Sequence, residues 1–355
     1  MPWKELTAMS QRREFGQRAS QNDTSFSELC REYGISRWCG YKWYSRYLNG
    51  EDLADRSRRP HGCPHQTRPE IEEAVLAARR EFPAWGGRKI HKVLLGRDYQ
   101  YVPSPSTITQ ILKRNGLIDP EEAQKHRPFQ SFEMDEPNQL WQMDFKGYFP
   151  LGDGTICHPL TVLDDCSRYL LEIAACLDET RETVQDRLTR VFKENGLPER
   201  MLMDNGPPWG YGEERFTGLA AWLIRLGITV CHGRPYHPQT QGKEERLHRT
   251  LDDEVLRWGL PDDSADCQRA FSEWRGVYNW IRPHESLGMR TPASRYCKSS
   301  KPFPETLPPI VYDSGYIVRK VNDLGRISLQ NRHYRVGRAF WRFPVGLRPT
   351  DTDGV

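Results

Sequence analysis

The sequence predicts a multidomain chain: all-α units at the N-terminus, an α/β domain in the centre and a small all-β segment at the C-terminus. Three observations carry this. Residues 1–118 read as short capped helices with tight turns, residues 140–255 as three strands followed by alternating helices and strands, and residues 316–343 as short period-two runs separated by turn residues. Charge divides the chain in the same way. Residues 1–118 hold 20 Lys+Arg against 13 Asp+Glu, residues 301–355 hold 9 against 5, and the stretch between them holds 22 against 30. Basic flanks around an acidic middle suit a protein that meets a polyanion at its ends and gathers carboxylates at its centre. No stretch approaches the ~18 apolar residues of a membrane span. The N-terminus also lacks the apolar run of a signal peptide, so the reading is a cytoplasmic chain. The nine cysteines are odd in number and scattered, with no C-x-x-C pair, which favours reduced thiols.

The elements follow in order. In SFSELCREYGISRWCGYKWYSRYLNG (25–50), Ser25 and Glu28 have capping-box spacing, Gly34 offers the turn, and Ser36 caps a second helix from Arg37. Phe26, Leu29, Cys30, Tyr33 and Ile35 make a small shared core. Arg37, Lys42 and Arg46 are left for a DNA groove. Residues 1–50 thus resemble a helix-turn-helix DNA-binding domain, with a plain helical scaffold as the alternative. Residues 51–68 form a basic linker whose Arg56, Arg58 and Arg59 can track phosphates; Cys63 and His65 within it are too few for a metal site. Residues 69–118 give three more helices, opening at Pro69, the last capped by Ser104 or Ser106 and carrying Lys113 and Arg114: a second helix-turn-helix-like domain. A connector occupies residues 119–134.

The central domain, residues 135–300, begins with strands in LWQMDFKGYF, ICHPLTVLDDCS and YLLEIAACL. A helix, a strand ending in MLMDNG, a helix, the strand ITVCHG and a helix after RPYHPQTQG follow. This order is that of a ribonuclease-H-like α/β domain, although other α/β folds share it. Asp144 and Asp204 stand at strand ends, where side chains emerge into a ligand crevice. For Asp204-Asn205-Gly206 ordinary turn chemistry is the competing reading. On the last helix Leu247, Leu251, Val255 and Trp258 define the buried stripe. Glu244 projects near that stripe, and fraying of the first turn is expected to leave it partly wet. Glu245 lies on the far face with His248, Arg249 and Asp252, free to face a crevice. Two strand-end carboxylates and one on a helix can hold a pair of divalent cations, for which Mg²⁺ is the suitable hard ion.

WQMDFKG, LTVLDDCSRY, MLMDNG, RPYHPQTQGKEERLHRTL and YNWIRPHESLGMRTPASRY, in that order, resemble the integrase-like DDE transposases of bacterial insertion sequences, relatives of retroviral integrases. The resemblance places the triad on Asp144, Asp204 and Glu245, the third residue after Gly242. It implies cleavage of element ends by water and strand transfer by the 3′-hydroxyl, with Mg²⁺ as cofactor, two ions, Mn²⁺ substituting. It also implies double-stranded DNA as partner, at element ends and target, in a homo-oligomer, with no nucleotide cofactor and no membrane. Two features depart from the family. Glu244 stands where an apolar residue is usual, and the interval between Asp204 and Glu245 is a little long, with WGYGEERF the place for extra residues. Asp164 and Asp165 are read as structural. Arg234, Tyr236, His237, Gln239, Gln241, Lys243, His248 and Arg249 are the candidate DNA contacts near Glu245. The segment after Arg282 is read as closing the core.

Residues 301–355 are expected to form a small β-barrel-like segment, with Arg332, Arg335 and Arg338 for non-specific DNA contact. Because the chain stops at LRPTDTDGV, just past a hairpin signal, a final strand is expected to be missing. Two other functions compete with a transposase: a catalytically silent DNA-binding regulator, which a decayed copy would be, and a ribonuclease-H-type nuclease without strand transfer.

Overall fold

The computed structural model describes residues 7–56, 67–97, 99–118, 133–210, 216–232 and 242–348. The chain divides into two compact units, Met1–Gln66 and Thr67–Val355.

The first unit has three helices, α1 (Ala8–Gln21), α2 (Phe26–Glu32) and α3 (Arg37–Leu48). Ser25 and Ser36 cap α2 and α3 as their spacing predicts, accepting the amides of Glu28 and Cys39 at 3.3 Å. Helix α1 is absent from the sequence reading. Most of its residues are polar and only Phe15, Gly16 and Ala19 are buried, too few to print a clear helical stripe. Phe15 nonetheless completes the core with Leu29 and Cys30, and Phe26, Tyr33, Ile35 and Tyr44 pack around it. Gly40 lets α3 approach α2 closely, since a Cβ there would lie 2.5 Å from the Cys30 sulfur.

The second unit opens with α4 (Pro69–Glu81), α5 (Gly87–Leu95) and α6 (Pro105–Arg114). Of the two serines offered by the sequence, Ser104 caps α6 through the Thr107 amide. Val75, Ala78, Trp85, Ile90, Leu94, Ile108, Ile111 and Leu112 are inaccessible and form the core of these helices. Each buried aliphatic side chain of this size contributes about 2 kcal/mol.

The sheet that follows is mixed. Its strands are β1 (Trp141–Phe145), β2 (Phe149–Pro150), β3 (Ile156–Asp164), β4 (Leu170–Cys176), β5 (Arg200–Met203) and β6 (Thr229–His232). They are ordered β2-β3-β1-β5-β6, with β4 also on β3. The first expected strand, LWQMDFKGYF, is interrupted at Lys146–Tyr148, where Gly147 takes a positive φ of 96°. Strand β3 is antiparallel to β1 and β4, whereas β5 is parallel to β1 and β6. Helices α7 (Arg181–Asn195) and α8 (Gly218–Arg225) cover one face through Val184, Leu188, Phe192, Leu219 and Leu223. Helices α9 (Gly242–Glu254) and α10 (Ser264–Gly276) cover the other through Leu247, Leu251, Cys267, Phe271 and Trp274.

Glu254, the last residue of α9, joins the parts of this unit. Its carboxylate accepts the indole N–H groups of Trp85 and Trp274, both at 3.0 Å, and the Arg282 Nε–H at 2.8 Å. The α4–α6 bundle is therefore seated on the central domain by charge-assisted hydrogen bonds, in addition to apolar packing. The segment after Arg282 folds back through a bridge in which the His284 amide donates to the Arg290 carbonyl oxygen, as expected of a closing segment.

At the C-terminal end, β7 (Ile317–Lys320) pairs with β10 (Pro344–Leu347), and β8 (Arg326–Leu329) with β9 (Arg332–Arg335). The β8–β9 turn is made by Gln330 and Asn331, both at positive φ, as a tight hairpin requires. Strand β10 lies beyond the segment read as strands from the sequence. Residues 349–355, on which the expected loss of a final strand rests, lie outside the described residues.

Candidate active site

Because β1 and β5 run parallel, their C-terminal ends fall at one edge of the sheet. Asp144 is the penultimate residue of β1 and Asp204 directly follows β5. Asp144 is half-buried and Asp204 exposed. Burial and then the charge of Asp204 push the Asp144 carboxyl up to about 7; Glu179 adds to this, and the Phe145 amide opposes it. Among the described residues no Lys, Arg or His side chain forms an ion pair with either aspartate. The two acids lie near enough for the charge of Asp204 to act on Asp144, and no counter-charge pairs with them among the described residues.

Helix α9 brings the next acids. Glu245 is exposed, as its phase predicts, and pairs with Arg249 at 3.0 Å. Glu244 differs from expectation: it is fully buried and not wetted by fraying. In the same first turn Lys243 reaches the buried Asp165 at 2.5 Å. Glu244 shares the inward face with Leu247 and Leu251 at helical spacing. Burial, and secondarily the charge of Asp144, raise its carboxyl well above the ordinary range. Its Oε2 lies 2.9 Å from the Thr161 hydroxyl, while Oε1 has no hydrogen-bond partner among the described residues.

His248 is a second correction. One turn from Glu244, it faces inward with Nε2 2.9 Å from Thr161 Oγ1, and burial pushes it down to about 4, so it is a neutral imidazole within the fold. Lys243 is also withdrawn from the surface, its ammonium held by the buried Asp165. Neither is placed to meet DNA as the sequence suggests.

The LDDCSRY aspartates lie at the opposite edge of the sheet, where Asp164 faces Trp141 in register. Both are inaccessible to solvent. Asp164 accepts from the Asn138 and Ser167 amides at 2.7 and 2.8 Å and from the Ser167 hydroxyl at 2.5 Å. Asp165 accepts from the Met134 amide and the Gln142 side chain, and pairs with Lys243. Their oxygens are spent on the fold, as a structural reading requires.

The remaining candidates are distributed unevenly. Arg37 and Lys42 are exposed on α3 beside Trp38, which is 78% exposed; Lys42 also lies over the Trp43 ring. Arg46 is partly buried, donating to the Ala54 carbonyl and stacking on Trp43. Arg56 is paired with Glu51, and Arg114 with Glu72. Lys113, Arg332, Arg335 and Arg338 are exposed. Arg58, Arg59, Cys63, His65, Arg234, Tyr236, His237, Gln239 and Gln241 lie outside the described residues, as do Gly210's successors 211–215, part of the long interval before Glu245. Among the described residues no three acidic, imidazole or thiol groups converge on a single point able to ligate a metal. Asp144 and Asp204 come together; Glu245 stands apart from them. Thr161 and Glu244 are the residues that sequence reasoning missed as a unit. The one available signal was the placing of Glu244 on the apolar stripe.

Known proteins match the chain segment by segment. Residues 11–61 match a helix-turn-helix domain and 39–112 a homeodomain-like domain. Residues 134–238 and 226–292 match integrase core domains, and 316–355 the C-terminal domain of IS481 family transposases. The 39.2 kDa protein of insertion element IS476 from Xanthomonas euvesicatoria is 31% identical over 159 residues, 44% of this chain and 44% of that protein. The chain thus spans under half of that relative's length. The 31.7 kDa protein of insertion element IS407 from Burkholderia multivorans is 25% identical over 242 residues, covering 64% of this chain and 83% of the relative. The structure of the HTLV-2 integrase catalytic core domain in complex with magnesium aligns with 45% of this chain and 97% of its own, at 17% identity and a TM-score of 0.36. No helix among the described residues is long and apolar enough to cross a membrane. With segments that match helix-turn-helix domains, an integrase core and an IS481-type C-terminal domain in that order, the chain is similar to the integrase-core transposases of bacterial insertion elements.

Proposed function

We propose that this protein binds the terminal repeats of a mobile element as a homo-oligomer and catalyses metal-dependent cleavage of the DNA ends and their transfer to a target. The observation that carries the reading is the Asp144–Asp204 pair at one end of the sheet: burial and then the charge of Asp204 raise the proton affinity of Asp144, and among the described residues no protein cation forms an ion pair with either acid. Such a pair fits a divalent ion. The donors are all oxygen, which suits Mg²⁺ or Mn²⁺, and a cation there removes the repulsion that burial intensifies. Asp144 and Asp204 would hold it from the strand ends and Glu245 from the helix. The Glu245–Arg249 contact is an exposed i,i+4 pair worth about 0.3–0.5 kcal/mol, so it presents little resistance to recruitment. Two such ions supply charge compensation at phosphorus and make water or a 3′-hydroxyl a competent nucleophile at neutral pH.

The chain's own residues do the rest. The sheet edge presents the carboxylates rigidly, since β1 is paired on both sides by β3 and β5. Exposed Arg37 and Lys42, with Trp38 between them, put a basic and aromatic surface on α3, the second helix of a helix-turn-helix pair and the one that enters a DNA groove in that motif. In end cleavage the water oxygen bonds to phosphorus as the P–O3′ bond breaks. In transfer the released 3′-oxygen attacks a target phosphorus in the same way.

A silent DNA-binding regulator is the competing reading, and the position of Glu245 away from the aspartates favours it. The two readings part in one assay. Purified protein is incubated with a labelled duplex bearing the element's end, in Mg²⁺ or Mn²⁺, beside the Asp204→Asn variant. Metal-dependent nicking and joining that disappears in the variant is the expected result. Specific binding without cutting by either protein would establish the regulator.

A further inference from the structure

Thr161 is where the strand carrying Asp144 and the helix carrying Glu245 are tied together. It faces Asp144 across the β1–β3 ladder. Its Oγ1 lies 3.1 Å from the Asp144 carbonyl oxygen, 2.9 Å from Glu244 Oε2 and 2.9 Å from His248 Nε2. Glu244 and His248 are one helical turn apart and so reach the same point. Thr161 and Glu244 are both inaccessible to solvent. On the neighbouring residue, Lys243 reaches Asp165 at the far edge of the sheet.

An apolar stripe alone does not hold a helix in one register, because dispersion contacts are non-directional and survive small slides and rotations. Hydrogen bonds to buried polar groups do not survive them, since a slide leaves a buried donor or acceptor without its partner and without water to replace it. Leu247 and Leu251 give α9 its adhesion to the sheet. The Thr161 junction gives it an address.

We propose that Glu244 is a positioning residue: with Thr161 and His248 it fixes the first turn of α9 against β1, and so sets where Glu245 stands relative to Asp144. This rests on the reading of Asp144, Asp204 and Glu245 as holders of a divalent ion. It gives a function to the acid that stands where integrase-like transposases usually carry an apolar residue. Glu244 acts through the backbone of β1 and α9; its Oε2 is engaged by Thr161.

The test is Mn²⁺ binding to the full-length protein without DNA, read by the electron paramagnetic resonance of free Mn²⁺, with a thermal melt of every variant. Asp144→Asn controls for the site itself. Thr161→Val removes the junction hydroxyl at nearly constant volume, Glu244→Leu removes the carboxyl, and Glu244→Gln keeps a hydrogen-bonding group of the same shape. The expected result is that Thr161→Val and Glu244→Leu each weaken Mn²⁺ binding by roughly 10-fold or more, and Glu244→Gln restores it to within about 3-fold of the parent. Should Glu244→Leu fail to fold, Thr161→Val against Glu244→Gln decides the matter.

Parent-like affinity in both Thr161→Val and Glu244→Leu overturns the proposal. It is overturned as well if Glu244→Gln binds as weakly as Glu244→Leu while Thr161→Val is parent-like, because Glu244 is then itself a ligand. If Asp144→Asn leaves Mn²⁺ binding unchanged, the metal site is wrong and the positioning role fails with it.

Discussion

The two edges of the central sheet carry the same chemical groups and treat them oppositely. At one edge Asp164 and Asp165 are inaccessible, and each is met by three donors; Lys243 supplies Asp165 with a counter-charge. At the other, Asp144 and Asp204 are more open and form no ion pair among the described residues, and burial followed by the charge of Asp204 raises the proton affinity of Asp144 to about 7. Burial separates the two pairs, but it does not by itself say why one is structural. Satisfaction is the better guide: an acid whose oxygens are all spoken for holds the fold together, and an acid left unpaired is available to something outside it.

That comparison is sharpened most strongly by neutralising one acid at each edge. Asp144→Asn or Asp204→Asn is expected to reduce strand cutting and joining by on the order of 10²-fold or more, since each removes a charge placed at the reacting centre. Neither should lower the melting temperature, because a like-charge repulsion is relieved. A lower Tm in both variants would break the contrast. At the opposite edge Asp165→Leu removes the carboxylate that pairs with the largely buried Lys243 ammonium, and a loss of about 3–5 kcal/mol is expected in denaturant unfolding. A neutral outcome there would mean that Asp165 is as dispensable to the fold as Asp204.

A smaller effect separates the edges without mutation of the fold. Divalent ion at ten times its dissociation constant should stabilise the native protein by about 1.4 kcal/mol, seen as a higher Tm with Mg²⁺ than with chelator. The increment should vanish in Asp144→Asn and persist in a mildly destabilised Asp164→Asn.

The smallest effect concerns a buried group that is satisfied by staying neutral. Burial, with the charges of Arg282 and Lys89, holds His284 down at about 2, against an ordinary 6.5. Below about pH 6.5 the unfolded chain takes up a proton that the folded chain refuses, so stability falls as pH falls. The loss from this one residue is roughly 1 kcal/mol at pH 5.5. His284→Asn should flatten the decline of Tm between pH 7 and 5.5 by that amount; an unchanged slope would show that His284 becomes charged within the fold.

Much of this arrangement is legible in residue order. Ser25, Ser36 and Ser104 announce their helices because a cap is a contact over three residues. Asp144 and Asp204 could be placed at strand ends because apolar runs stop there. Helix α1 could not be read, since its stability comes from Phe15 meeting residues of α2, a contact that no local pattern records. Strand β10 pairs with β7 across more than twenty residues, which hides it in the same way.

The sequence by itself determined the domain order, the strand-end acids, the two-sided helix with adjacent glutamates and the kinship with integrase-core transposases, because these depend on local spacing and on motifs in order. Only the tertiary structure decided which acids are spent and which are left over. Glu244 turned out buried against Thr161, Lys243 was claimed by Asp165, and Glu245 was left outside with Arg249. The physical reason is that an acid's character depends on the donors and charges within a few ångströms, and those donors come from segments of the chain dozens of residues away.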